Sequence, residues 1–204
     1  MADDRRAVAY HESAHALVAW KLHMRFAYIS IVPDDDCIGH VLFHRLRLTD
    51  MHVYDMSPRV RDRLERRIIT GLAGREGKRL ITGRYNHRGA AGDYRNALRL
   101  ASHIEGTSEA LTPYFKWLMV RAKQLVTAPH HRPMLDALAL ALLEQEKIDG
   151  PTACQIILDA GMRGARKWVN SDFAATRGGS ATTATADDTK KARTPTRKTR
   201  RATY

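Results

Sequence analysis

Tyr10-His11-Glu12-Ser13-Ala14-His15-Ala16-Leu17-Val18 lies inside an apolar-periodic segment, with Ala7-Val8-Ala9 before it and Ala19-Trp20 after it. On a helix, residues four apart stand one turn above each other on the same face. His11 and His15 therefore offer two imidazoles to one point, and nothing between them breaks the helix. Such a pair can hold one zinc ion, while the carboxylate of Glu12 holds the water that the metal activates. That geometry suits metal-assisted hydrolysis of a carbonyl, most often a peptide bond. The competing explanation is an accidental match in a chain with ten histidines.

Outward from this helix, expected over about Asp4 to His23, the elements follow in a clear order. Ala27-Tyr28-Ile29-Ser30-Ile31-Val32 and Ile38 to His44 flank the polar turn Pro33-Asp34-Asp35-Asp36. Both runs are rich in β-branched and aromatic residues, so they read as a hairpin or two adjacent strands. Ser57-Pro58 opens a second helix, to about Ile81, because proline fits the first helical position. Within it, the small residues of Gly71-Leu72-Ala73-Gly74 let another backbone come close. Further helices are expected from about Asp93, from Glu109 to Thr127 and from Arg132 to Lys147. A short last one follows Asp149-Gly150-Pro151, through Leu158. The expected fold is mainly α, of the α+β class, with one small β-hairpin or sheet.

The 204 residues and their hydrophobic fraction of 44% allow a real core. The net charge is +12. Half of it falls on residues 174–204, where eight basic residues face two acidic ones. That stretch is rich in Thr, Ala and Gly and has too few large apolar residues to bury a core. The expected organisation is thus a domain over 1–173 and a disordered basic tail over 174–204, the tail suited to weak contact with polyanions. The run Leu138 to Leu143 is far too short to span a bilayer. No signal peptide is visible, and Cys37 and Cys154 form no CxxC pair. A cytoplasmic location with free thiols is expected.

A hydrolytic zinc site needs a third protein ligand and an open position for water. Histidines 23, 40, 44, 52, 87, 103, 130 and 131 and many carboxylates are formally available. Physical reasoning from the residues leaves that choice open. Asp93 begins a helix, where a carboxylate is favoured by the dipole alone.

The chain resembles the peptidase domain of the FtsH family of ATP-dependent zinc metalloproteases, from about Tyr10 to Leu158. Residues 10–18 are similar to that family's HEAGHALV segment, and Pro33 and Gly39 keep the spacing of its strand–turn–strand unit. Gly74-Arg75 corresponds to its GGR element. Gly89-Ala90-Ala91-Gly92-Asp93 falls on its STGASND stretch, and Leu142 to Gly150 on its LLE-x-E run. The resemblance implies a helical zinc metalloendopeptidase with His11, His15 and Asp93 as Zn2+ ligands and Glu12 as general base. Unfolded polypeptide would lie extended along Ile38, Gly39, His40, Val41 and Leu42 by strand addition. It also implies a hexameric homo-oligomer and an AAA+ ATPase, here a separate one, since this chain contains no GxxxxGK[ST] phosphate loop.

The chain departs from the family at several positions. Ala14 stands where the family has glycine, Asp34-Asp35 replace Arg-Gly, and Lys78 falls on an acidic position. Two other classes of function compete. One is a catalytically degenerate, peptidase-like interaction module. The other is a nucleic-acid-associating basic protein, although the body carries no recognition motif.

Overall fold

The computed structural model describes residues 2–33, 39–44, 57–85 and 91–177, with side chains described between Asp4 and Arg166. The elements run α1 (Ala2–Lys21), β1 (Phe26–Ser30), β2 (His40–Phe43), α2 (Pro58–Thr82), α3 (Ala91–Ile104), α4 (Ser108–Thr127), α5 (Arg132–Gln145), β3 (Lys147–Asp149) and α6 (Gly150–Arg177). The mainly helical expectation with one small sheet holds. Turn residues 34–36, Cys37, Ile38 and the tail beyond Arg177 lie outside the described residues.

α1 is the central element. Every residue from Ala9 to Ala19 is buried, on all faces of the helix. A helix covered all round belongs in the core rather than on a surface, so the amphipathic helix read from the sequence is in fact enclosed. It packs chiefly against α2 and α5, and it also touches β1 and β2 of the sheet. Leu17, Ile68, Ile69, Leu72, Leu135, Leu138 and Leu142 of these helices, with Leu118 of α4, belong to one core cluster. Burying side chains of this size contributes about 1.5–3 kcal/mol each relative to exposure.

The sheet has the order β2-β1-β3, antiparallel throughout. Ile29 pairs with Val41 on one side and Ile148 on the other, and Ile29 and Ile148 point into the core. β3 falls where the sequence reading continued α5. Glu146 adopts φ 62° and ends the helix, and its carbonyl accepts a hydrogen bond from the Ile31 amide at 2.8 Å. Asp149 then opens α6, accepting from the Thr152 amide at 2.9 Å. α6 is far longer than the short helix expected, and it runs through Arg177. No described helix is long and apolar enough to cross a membrane.

Candidate active site

His11 and His15 occupy successive turns of α1, with ring centroids 4.6 Å apart and planes at 82°. Their Nε2 atoms are 3.0 Å apart. Asp93, in the first turn of α3, places Oδ2 3.1 Å from His11 Nε2 and 3.3 Å from His15 Nε2. The three atoms form a nearly equilateral triangle. A point equidistant from them lies about 1.8 Å from each, within the ~2.0–2.2 Å reach of nitrogen and carboxylate ligands to zinc. Among the described residues, these three form the group of His, Cys, Asp and Glu side chains able to hold a metal ion.

Three features prepare that point. The His15 Nδ1–H donates to the Thr70 carbonyl at 2.7 Å, which leaves the Nε2 lone pair facing Asp93. Gly74 of α2 faces the ring nitrogens directly. A methyl there would stand 2.3 Å from His15 Nε2 and 2.6 Å from His11 Nε2, in the volume a shared ion would use. The donor set of two imidazoles and a carboxylate also suits zinc chemically. The residues therefore fit a zinc ion.

Charge at the site is strongly coupled. Burial lowers the His11 pKa, against the hydrogen bond to Asp93, and Lys78 adds a smaller push in the same downward direction. Burial opposes protonation of His15 too, but the charges of Asp93 and Glu12 outweigh it and raise its pKa to about 9. Asp93 is held well below the ordinary carboxylate range: burial works the other way, yet His15 and His11 overcome it. Glu12 is buried beside His11, and burial raises its pKa to about 7.

Gly39 brings the start of β2 against α1. A methyl at Gly39 would be 3.0 Å from the Ser30 carbonyl and 3.2 Å from Glu12 Cγ. Of the strand residues named from the sequence, Ile38 lies outside the described residues. His40, Val41 and Leu42 lie in β2, one of the two outer strands of the sheet. Tyr28 Oη and His40 Nε2 are 3.0 Å apart, Val41 is half-buried and Leu42 is exposed. The other edge of β2 pairs with no strand among the described residues.

Sequence reasoning missed the Thr70 carbonyl, because a backbone acceptor carries no residue signature. It found the small residues around Gly74 without their purpose, which is room above the histidine pair. Ala14 is accommodated by a second glycine: a methyl at Gly77 would lie 2.5 Å from Ala14 Cβ.

Among known proteins, the chain is similar to a zinc metalloprotease. The ATP-dependent zinc metalloprotease FtsH 1 of Symbiobacterium thermophilum is 32% identical over 176 residues, covering 74% of this chain and 28% of that protein. The chain thus spans little more than a quarter of the relative's length. A sequence model of peptidase family M41 matches residues 1–112, more than half of the 204, and includes all three clustered side chains and Glu12. The chain belongs to peptidase family M41.

Proposed function

We propose that the protein is a zinc-dependent metalloendopeptidase acting on unfolded polypeptides. The observation that carries this reading is the convergence of His11, His15 and Asp93 within 3.0–3.3 Å. These three residues would hold the ion, which would supply Lewis acidity toward the scissile carbonyl and toward the attacking water.

Glu12 performs the proton transfers. Its carboxylate takes a proton from the attacking water as the new C–O bond forms. It passes that proton to the departing amine as the C–N bond breaks, and returns to the carboxylate form. Its burial suits the task, because a group with pKa near 7 both accepts and releases a proton readily at that pH. The outer edge of β2 offers backbone N–H and C=O groups to an extended substrate, which aligns main chain with little side-chain selection. Gly39, at the Glu12 end of that edge, lets the strand approach the base closely.

Strand addition requires an already extended chain, so an AAA+ ATPase is the natural supplier of extended chain drawn from folded substrates. A hexameric assembly and a cytoplasmic setting complete the proposal. The test is metal analysis of the purified protein together with hydrolysis of a permanently unfolded polypeptide, with Glu12→Gln as control. One zinc per chain with Glu12-dependent cleavage is expected. Zinc binding without cleavage would assign the chain to the degenerate-module reading.

A further inference from the structure

Two of the three converging side chains come from one rigid helix, so helical geometry fixes their spacing. The third arrives on α3, and its placement has to be secured separately. The first turn of α3 offers little hold, since Ala91, Gly92, Tyr94, Arg95 and Asn96 are all exposed. The apolar anchors of the helix begin at Ala97 and continue with Ala101 and Ile104. Something other than core burial orients Asp93.

Arg75 follows Gly74 on α2, one residue beyond the glycine that faces the histidine rings. Its guanidinium carbon lies 4.6 Å from the centre of the Tyr85 ring and 6.0 Å from that of Tyr94. Tyr85 follows α2 and Tyr94 adjoins Asp93, so one cation touches the chain on both sides of the α2–α3 connection. Each end is braced further. The Tyr85 hydroxyl donates to buried Glu76 at 3.3 Å, and Arg79 donates to the same carboxylate at 3.1 Å. The Tyr94 ring meets Phe115 of α4 edge-on, at 5.3 Å and 87°. The buried Arg75 Nε makes no hydrogen bond and lies 3.4 Å from Glu76 Oε1. Ring faces and charge hold the guanidinium, and a planar cation suits that role better than an ammonium.

We propose that Arg75 is a positioning residue for the third metal ligand, setting Asp93 over the His11–His15 pair through its grip on Tyr85 and Tyr94. The inference rests on the metallopeptidase reading above. Loss of such a supporting contact around a metal site weakens metal binding about 10–100-fold.

The test measures zinc affinity by chelator competition and the visible absorption of the Co2+-substituted protein, on the full chain. Arg75→Gln and Tyr94→Leu should each weaken zinc binding about 10–100-fold and reduce the intense bands of four-coordinate cobalt. Tyr94→Phe, which keeps the ring, should restore both. In an Asp93→Ala background, Arg75→Gln should weaken binding no further, because the ligand it positions is gone. Wild-type affinity and spectrum in Arg75→Gln and Tyr94→Leu would overturn the proposal. So would an undiminished loss in the Asp93→Ala background, which would show that Arg75 acts elsewhere. If Arg75→Gln fails to fold, Tyr94→Leu at its exposed position decides by the same two readouts. Failure of the wild-type chain to bind zinc would refute the metallopeptidase reading itself, and this proposal with it.

Discussion

Two glycines three residues apart on α2 should answer differently to the same added methyl. In Gly74→Ala the methyl lands 2.3 Å from His15 Nε2 and 2.6 Å from His11 Nε2. Ordinary contact needs about 3.5 Å, so roughly 1 Å must be recovered. The atoms in the way are the far ends of two side chains rather than backbone, so the rings can tilt to relieve the overlap without moving α1. The fold cost should therefore sit at the low end of the ~1–3 kcal/mol range for overpacking. About 1 kcal/mol of helix propensity gained over glycine offsets it. The metal site has no such latitude, because ligand distances tolerate only about ±0.2 Å. Zinc affinity should fall by about 100-fold or more while the metal-free melting temperature moves by only a few degrees. In Gly77→Ala the methyl meets the Tyr10 carbonyl at 2.4 Å and Ala14 Cβ at 2.5 Å. Neither can rotate away, so α1 and α2 must separate. A cost of about 3 kcal/mol lowers the melting temperature by roughly 6–12 °C in a chain of this size. Gly92→Ala, next to Asp93 with nothing within 4 Å of the added methyl, is the control and should bind zinc normally. Calorimetric melting of the metal-free variants and zinc titration against a chelator give both readouts. Wild-type zinc affinity in Gly74→Ala would refute the assignment of the space above the histidine pair.

Glu12→Gln should keep the fold and zinc stoichiometry while turnover drops about 10²–10⁴-fold, since the amide accepts no proton; single-turnover cleavage of an unfolded substrate checks this. His131 is buried, donates Nδ1–H to the Leu125 carbonyl at 2.6 Å and has no partner at Nε2, so burial lowers its pKa. Its folded state resists the proton that the unfolded chain accepts, so stability is full above the unfolded value of about 6.5 and declines as pH falls through it, by at most about 1.4 kcal/mol per unit. His131→Gln should flatten that decline in melting scans between pH 8 and pH 5, and an unchanged slope would exclude His131 as its source. Deleting residues 178–204 should leave melting and cleavage unchanged while reducing salt-sensitive binding to heparin, because that attraction depends on Lys and Arg; salt-resistant, sequence-selective DNA binding by the shortened chain would instead support the nucleic-acid reading.

The parts of the fold that were legible in the sequence are those with local causes. α1 and α2 follow from apolar periodicity and from Pro58 at a helix start, and β1 and β2 from β-branched runs around a polar turn. β3 escaped notice because three residues with one inward side chain, Ile148, carry no alternation to detect. α6 runs well past Leu158, and its interior holds Gly161 and Gly164, poor helix formers by intrinsic propensity. In the structure they make room for α5: a methyl at Gly161 would strike Met134 Cε at 2.4 Å, and one at Gly164 would touch Pro133 at 3.5 Å. The histidine pair was visible from spacing alone, because both residues share one helix. Asp93 was not, because its partners lie 78 and 82 positions away and its own surroundings match any acidic helix start. Family resemblance named it, and the fold brings it to the same point.

The burial of α1 has an evolutionary consequence. His11, Glu12, Ser13 and His15 occupy consecutive turns of the most enclosed helix, and the Ser13 hydroxyl has no partner there at all. Apolar residues of similar size at these positions would pack without desolvating polar groups, and substitutions of that kind are commonly neutral or stabilising. A lineage that had abandoned catalysis would drift toward such replacements, since each would be tolerated or favoured by folding alone. In this chain His11, Glu12, Ser13 and His15 all stand in that enclosed helix. The element that anchors the core is thus also the one where the fold gives up stability to polar groups, and core packing alone supplies no reason for them.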